Sequence, residues 1–317
     1  MSHLLSPVFE TGFFESGPVH RALAVGSLVA LVSGVVGVFT VIRGQSFAGE
    51  AFGDLGTGGG AGAYLVGVGP LWGFVAGNVL AAGAMEMVGI QRARGRDLAT
   101  GIVLGAGIGL AALFLYLGST QQGSSGATVT ILFGSVFAIA STTVPLILLL
   151  SAGALAIVLA IYRPLLLSSL NAEMAAARGI RVRMIGALYL LALALAAALA
   201  AITIGTILST ALLIGPAAGA LRLTSRPLRA MACAAAIGIL TVWAGVVLAY
   251  DSYYWPPVGR GWPVSFFVVT LVLIAYLTSG VPDTLARRRA GAARGRSGST
   301  AGTASGRPGS AAGGTRG

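Results

Sequence analysis

The chain has 317 residues, of which 56% are hydrophobic and 9% charged, against about 25% charged in a typical soluble domain. So few charges cannot cover a water-facing surface, and a mean hydropathy of +0.89 makes lipid the main solvent, which excludes an ordinary soluble enzyme. A net charge of +11 would suggest nucleic acid in a soluble protein, but here all 20 basic residues are arginine and stand between apolar blocks, a pattern that orients a chain in a bilayer.

The start, MSHLLSPVFETGFFESG, lacks a basic stretch followed by an apolar core, so it does not read as a cleaved signal peptide. Residues 1–19 read as an external or interfacial segment. A bilayer core of about 30 Å needs roughly 20 apolar residues as helix. By that ruler spans fall near 20–42, 48–68, 71–90, 98–118, 142–162, 184–206, 207–221, 229–250 and 264–280. The segment 128–141 is apolar but follows a Gly/Ser loop, and is read as re-entrant or as the first part of the next span. The segment 207–221 is short and carries Gly215 and Pro216, which mark it as a broken or half-spanning helix and a candidate gate. The reading is an all-α transmembrane bundle of eight or nine spans over 20–280. From 281 the chain turns to Gly, Ser, Ala and Arg and is expected to be a disordered cytoplasmic tail.

Glycine is abundant, at 48 residues. The run Gly101, Gly105, Gly109 and the stretch Gly58 to Gly60 are expected to let helices approach closely, because small residues drive association where lipid offers no hydrophobic gain.

Arginine sets the expected orientation. The connections at 91–97, 163–183 and 222–229, together with Arg43 and the tail, hold most of the positive charge, whereas 119–127 and 251–263 contain only Arg260. The rich side is the cytoplasm by the positive-inside rule, so the C-terminus is cytoplasmic. Tyr250, Tyr253, Tyr254, Trp255 and Trp262 cluster at the opposite boundary, where interfacial aromatics belong.

Several chemistries are excluded. Without lysine there is no G-x-x-x-x-G-K-[ST] phosphate loop, so the chain does not hydrolyse ATP by that route. One cysteine, Cys233, builds no disulfide framework, and His3 and His20 are both near the start. No cofactor is expected.

Two stretches carry function. In 163–183, Asn171 reads as a helix cap, Asn171 to Ala177 holds good helix formers, and Gly179 stands where the helix should end. Such a short helix on the cytoplasmic side is either an interfacial turn or a docking helix for a partner. The residues concerned are Asn171, Glu173, Ala176, Arg178 and Gly179. In the second stretch Glu50 and Asp54 stand four residues apart, on one face of a helix. A carboxylate at membrane depth costs at least ~2.5 kcal/mol, and two on one face repel unless a proton or cation lies between them. They either line a pathway or sit hydrated at the inner interface. Of the other acids, Glu86 is expected to pair with the arginines of 91–97, and Asp97 to cap the span it begins.

These stretches, in this order, resemble the permease subunits of ABC importers for metal cations, the zinc, manganese and iron family. That family reads roughly Arg-x-x-Ser-hydrophobic-x-Gly-Asp-Ala-hydrophobic-Ser-His after its first span. Here the segment stands as Arg43, Ser46, Phe47, Gly49, Glu50, Ala51, Phe52, Gly53 and Asp54. ILFGSVFAI at 131–139, YRPLLLSSLNAEMAAARGIRV at 162–182 and TALLIGPAAGALRL at 210–223 resemble further family segments, the second of them its coupling segment. The likeness covers about residues 20–280.

The resemblance implies a fold of the vitamin B12 and metal-chelate importer class, in a multi-pass protein of a bacterial inner membrane. It implies a homodimer with one shared pathway, two cytoplasmic ATPase copies and an external solute-binding protein. It places Glu50 and Asp54 where the family has its metal-passing Asp and His. The replacements keep two oxygen ligands and lose an imidazole, which manganese tolerates better than zinc. Other cargoes compatible with the architecture are a metal chelate, a cobalamin-like compound or an unknown ligand. Intramembrane acids also suit a proton-coupled secondary transporter.

Overall fold

In a computed structural model of the chain, the structure describes residues 16–88, 93–121, 125–134, 136–255 and 261–280. The expected tail from 281, the start up to 15 and Arg260 lie outside the described residues. Among those described there is no strand.

Among the described residues twelve α-helices follow in chain order. They are α1 (Gly17–Ile42), α2 (Ser46–Leu65), α3 (Pro70–Val88), α4 (Ala93–Gln121), α5 (Ser125–Phe133), α6 (Val144–Ala160), α7 (Tyr162–Leu170), α8 (Ala172–Ala177), α9 (Val182–Ile204), α10 (Thr206–Leu223), α11 (Pro227–Asp251) and α12 (Val264–Ser279). Five are long and apolar enough to cross a bilayer, namely α1, α9, α10, α11 and residues 100–120 of α4; the bent pair α6–α7 makes a sixth if counted as one span.

The core forms around α9. Its sequence from Tyr189 to Ala201 is Leu and Ala with almost nothing else, and nearly every residue there is buried. A helix that is apolar on all sides is stable only when surrounded. Here α1, α2, α3, α6 and α10 pack around it. On one flank α2, α3 and α4 form a tight group; on the other α10 and α11 gather against α1, with α12 packed on both of them. Lipid gives no hydrophobic gain to helix association, so close packing and a few buried hydrogen bonds carry the joints. The Asn78 amide donates to the Ala194 carbonyl, 3.1 Å away, joining α3 to α9. Thr40 and Tyr189 share a hydroxyl hydrogen bond of 2.7 Å that joins α1 to α9.

The α2–α3 contact shows why glycine is there. A Cβ at Gly59 would collide with the Gly73 carbonyl oxygen, and one at Gly73 with that of Gly59. A second joint is made of backbone alone. Gly134 has φ +73° and Gly205 has φ +95°, both in the region that favours glycine. A side chain on either would strike the peptide backbone beside the other. The stretch after α5 thus lies directly on the break between α9 and α10.

Four expectations change. Gly101, Gly105 and Gly109 were placed at a helix crossing by the sequence, but a side chain there would meet nothing within 4 Å. The neighbouring Gly107 makes the contact instead, its added Cβ falling 2.8 Å from the Leu55 nitrogen on α2. α4 starts at Ala93, so Asp97 lies inside the helix rather than at its cap. α5 is a separate helix of 9 residues, about 13 Å long, and not the first part of α6. Finally, α10 runs unbroken through Gly215 and Pro216. Proline removes one intrahelical bond, but surrounding helices hold such a site in line. Gly215 serves a close approach to Val272 of α12. The breaks fall elsewhere, at Gly205 and at Ile161, where α6 and α7 meet at 62°.

Candidate functional site

The acid pair sits on α2. Glu50 and Asp54 are both half-buried, one helical turn apart. Asp54 is the ninth residue of the helix, about 12 Å along it at 1.5 Å per residue. Neighbouring residues fix which way this face looks. Gly49 and Gly53 lie against Leu213 and Ser209 of α10. Gly58 and Gly62 lie against Ala111 and Phe114 of α4. Gly56 and Gly60 lie against Asn78 and Phe74 of α3. At about 100° per residue, Glu50 and Asp54 fall between the α10 side and the α4 side, away from α3. The pair therefore faces the gap flanked by α4 and α10. One and two turns further on, Thr57 and Ala61 occupy the same sector and are buried. There α5 closes the gap, with Ile131 in one cluster with Ala61 and α5 packed on α2, α4 and α10.

Chemically this is an oxygen-donor ledge with one open side. Among the described residues no three His, Cys, Asp or Glu side chains gather into a metal cage. Two carboxylates one turn apart concentrate negative charge on this face of α2.

The second candidate is built as the sequence predicts. The Asn171 side chain accepts a 2.8 Å hydrogen bond from the Met174 backbone N–H and caps α8. At the other end Gly179 has φ +79°. Its N–H donates to Ala176 and that of Ile180 to Ala175, at 2.9 and 3.1 Å, the paired bonds that terminate a helix on a left-handed glycine. α8 buries Ala175 and exposes Glu173, Met174, Ala176 and Arg178. It presents a small surface of mixed charge.

Gly215 and Pro216 are distant from this segment and lie in the middle of α10, where Pro216 is buried. Glu50 and Asp54 come together with α10 nearer Ser209 and Leu213 than Pro216. Glu86 pairs with Arg183 of α9, Nε to Oε1 at 2.9 Å. Of the arginines in 91–97, no side chain is among those described. Sequence reasoning did not find the Glu86–Arg183 contact, because 97 residues separate the partners. Nor did it find the surroundings of Arg43. That guanidinium donates to the hydroxyls of Ser169 at 3.3 Å and Ser168 at 3.5 Å. It also lies 5.4 Å above the Tyr189 ring. The only signal was the placement of Arg43 at the corner before the acid-bearing helix.

Comparison with known proteins agrees with this architecture. Residues 17–279 match the family model described as the ABC 3 transport family. The manganese transport system membrane protein MntC of Halalkalibacterium halodurans is 34% identical over 272 residues, covering 85% of this chain and 90% of that one. Among solved structures, PsaBC from Streptococcus pneumoniae in complex with Fab superposes with a TM-score of 0.71 at 23% identity, over 88% of this chain and 95% of the other. A metal-chelate type ABC transporter in an inward-facing conformation gives 0.62 at 17% identity, over 85% and 86%. At those identities the two structures speak for the fold alone.

Proposed function

The chain belongs to the ABC 3 transport family, and from that premise we propose that it is the membrane permease of an ATP-driven importer whose cargo is a divalent cation, manganese foremost. The single observation that carries this reading is the half-buried pair Glu50 and Asp54 on one face of α2, turned toward the gap between α4 and α10. Two hard oxygen donors match manganese better than zinc, which prefers nitrogen and sulfur. The name of the MntC relative points the same way.

The mechanism in this reading is conformational. Two copies of the chain face each other, so that two acid pairs line one conduit. The membrane is crossed eight or nine times, nine when α10 counts as a full span, with α8 and the C-terminus in the cytoplasm. A separate ATPase, two copies per assembly, grips Glu173, Ala176 and Arg178 on α8, and Asn171 and Gly179 keep that helix in shape. An external binding protein delivers the cation. Rocking of the two copies exposes the acid pairs to one side and then the other. Transport requires that the cation bind the two states unequally, since a ligand shifts only what it distinguishes. Gly215 and Pro216 lie on α10, which flanks the gap, and contribute through that helix rather than as a broken gate. The permease performs no covalent chemistry.

The test is uptake of radiolabelled manganese by cells carrying the complete transporter. Glu50→Gln combined with Asp54→Asn keeps the shapes and removes both charges. Uptake should fall to background while the permease still co-purifies with its ATPase. Normal uptake in that variant would eliminate the acid-lined conduit.

A further inference from the structure

α7 stands between the proposed docking helix and the rest of the bundle, and it is clamped to α1 at both ends. Its first residue, Tyr162, packs edge-to-face on Phe39, with ring centroids 5.9 Å apart. Near its other end Ser168 and Ser169 accept hydrogen bonds from Arg43, the residue that ends α1. One residue beyond α7, Asn171 caps α8. On the other side of Arg43 the chain passes through Gly44, with φ +63°, and Gln45 into α2. Glu50 follows in the second turn of that helix.

Arg43 is itself braced. Its guanidinium rests over the ring of Tyr189, which is fully buried and fixed through its hydroxyl to Thr40 and to the Val36 carbonyl. A cation on an aromatic face has a preferred seat, so Arg43 is not free to follow α7 passively. Movement of α7 must either break the Arg43–serine contacts or carry the α1–α2 corner with it.

We propose that Arg43 is a positioning residue that couples displacement of α7 and α8 to α2, through its grip on Ser168 and Ser169 and its brace on Tyr189. Its part is to position other groups through the helices it joins. It makes the orientation of the acid-bearing helix depend on the position of the docking helix. The inference rests on the functional reading above and adds the route by which the motor reaches the ledge.

The experiment uses the complete transporter reconstituted in liposomes and reads manganese moved per ATP hydrolysed. The variants are Ser168→Ala with Ser169→Ala, Arg43→Gln, and all three substitutions together. Cation moved per ATP should fall about fivefold in each, within the range of measured coupling effects, while ATP hydrolysis by the assembled complex continues. The triple variant should be no worse than Arg43→Gln, because the serine hydroxyls act through Arg43 and that substitution already removes their donor. Arg222→Gln, which disturbs a different helix end at Tyr276, should keep the wild-type ratio. An unchanged ratio in the serine double variant overturns the proposal, and that variant decides alone if Arg43→Gln fails to assemble. If the unaltered complex shows no ATP-driven uptake, the functional reading falls and this inference with it.

Discussion

A short helix survives only if its ends are finished, and α8 has six residues. Isolated helices of that length are unstable in water, so the Asn171 cap and the Gly179 terminus decide whether the segment is a rigid lever or a loose loop. Asn171→Ala should destabilise α8 by about 1 kcal/mol, seen as faster amide exchange at Met174 and Ala175. Asn171→Asp should restore protection, because it keeps the accepting oxygen; equal exchange in both variants would deny the cap its role. The cap and the terminus were legible in the sequence because both are local, set by residue type and a spacing of a few positions. The same holds for Glu50 and Asp54, whose common face follows from helical period alone. The setting of Arg43 was not legible, since Ser168 and Ser169 lie 125 and 126 residues away.

At the scale of elements, α2 is the most constrained. It carries seven glycines in 20 residues, each a cost of roughly 1 kcal/mol relative to alanine in an exposed helix. The compensation is proximity: α3 and α4 come within backbone contact, so that the helix bearing two acids is held on two sides. Gly59→Val places a branched side chain against the Gly73 carbonyl and should destabilise the bundle by about 1–3 kcal/mol, read as a lower unfolding midpoint in detergent. Gly101→Val, with nothing within 4 Å, should leave that midpoint unchanged. Element positions were readable to within a few residues, because length and apolarity mark them. Which face of α4 would be buried was not, since the glycine repeat at 101, 105 and 109 lies on the open face, and the face packed on α2 carries only Gly107 between Val103 and Ala111. Proline at 216 misled for a related reason. Its effect depends on whether neighbours hold the helix straight, and the core around α9 does.

For the molecule as a whole, the proposed orientation places α8 and the Arg43 corner at one membrane face and the Trp255–Trp262 aromatic group at the other. Those aromatics form a joined cluster with Phe266 and Phe267, with ring centroids 5.4 to 6.2 Å apart. In a Cys233→Ala background, Ala176→Cys should react with a membrane-impermeant maleimide only after the cytoplasmic face is opened. Labelling of intact cells would reverse the orientation. Arginine placement alone carried this expectation, and it is a global property that needs no tertiary detail.

The meeting of Gly134 with Gly205 has a bearing on how this sequence drifts. Most packing faults can be mended from across the gap, when a neighbour shrinks to admit an intruding group. Here the neighbour is the main chain of another segment, and there is nothing left to trim. A lineage that loses either glycine can regain the old geometry only by reverting that very position, so these two sites should evolve as a pair of fixed points while the apolar residues around them exchange freely.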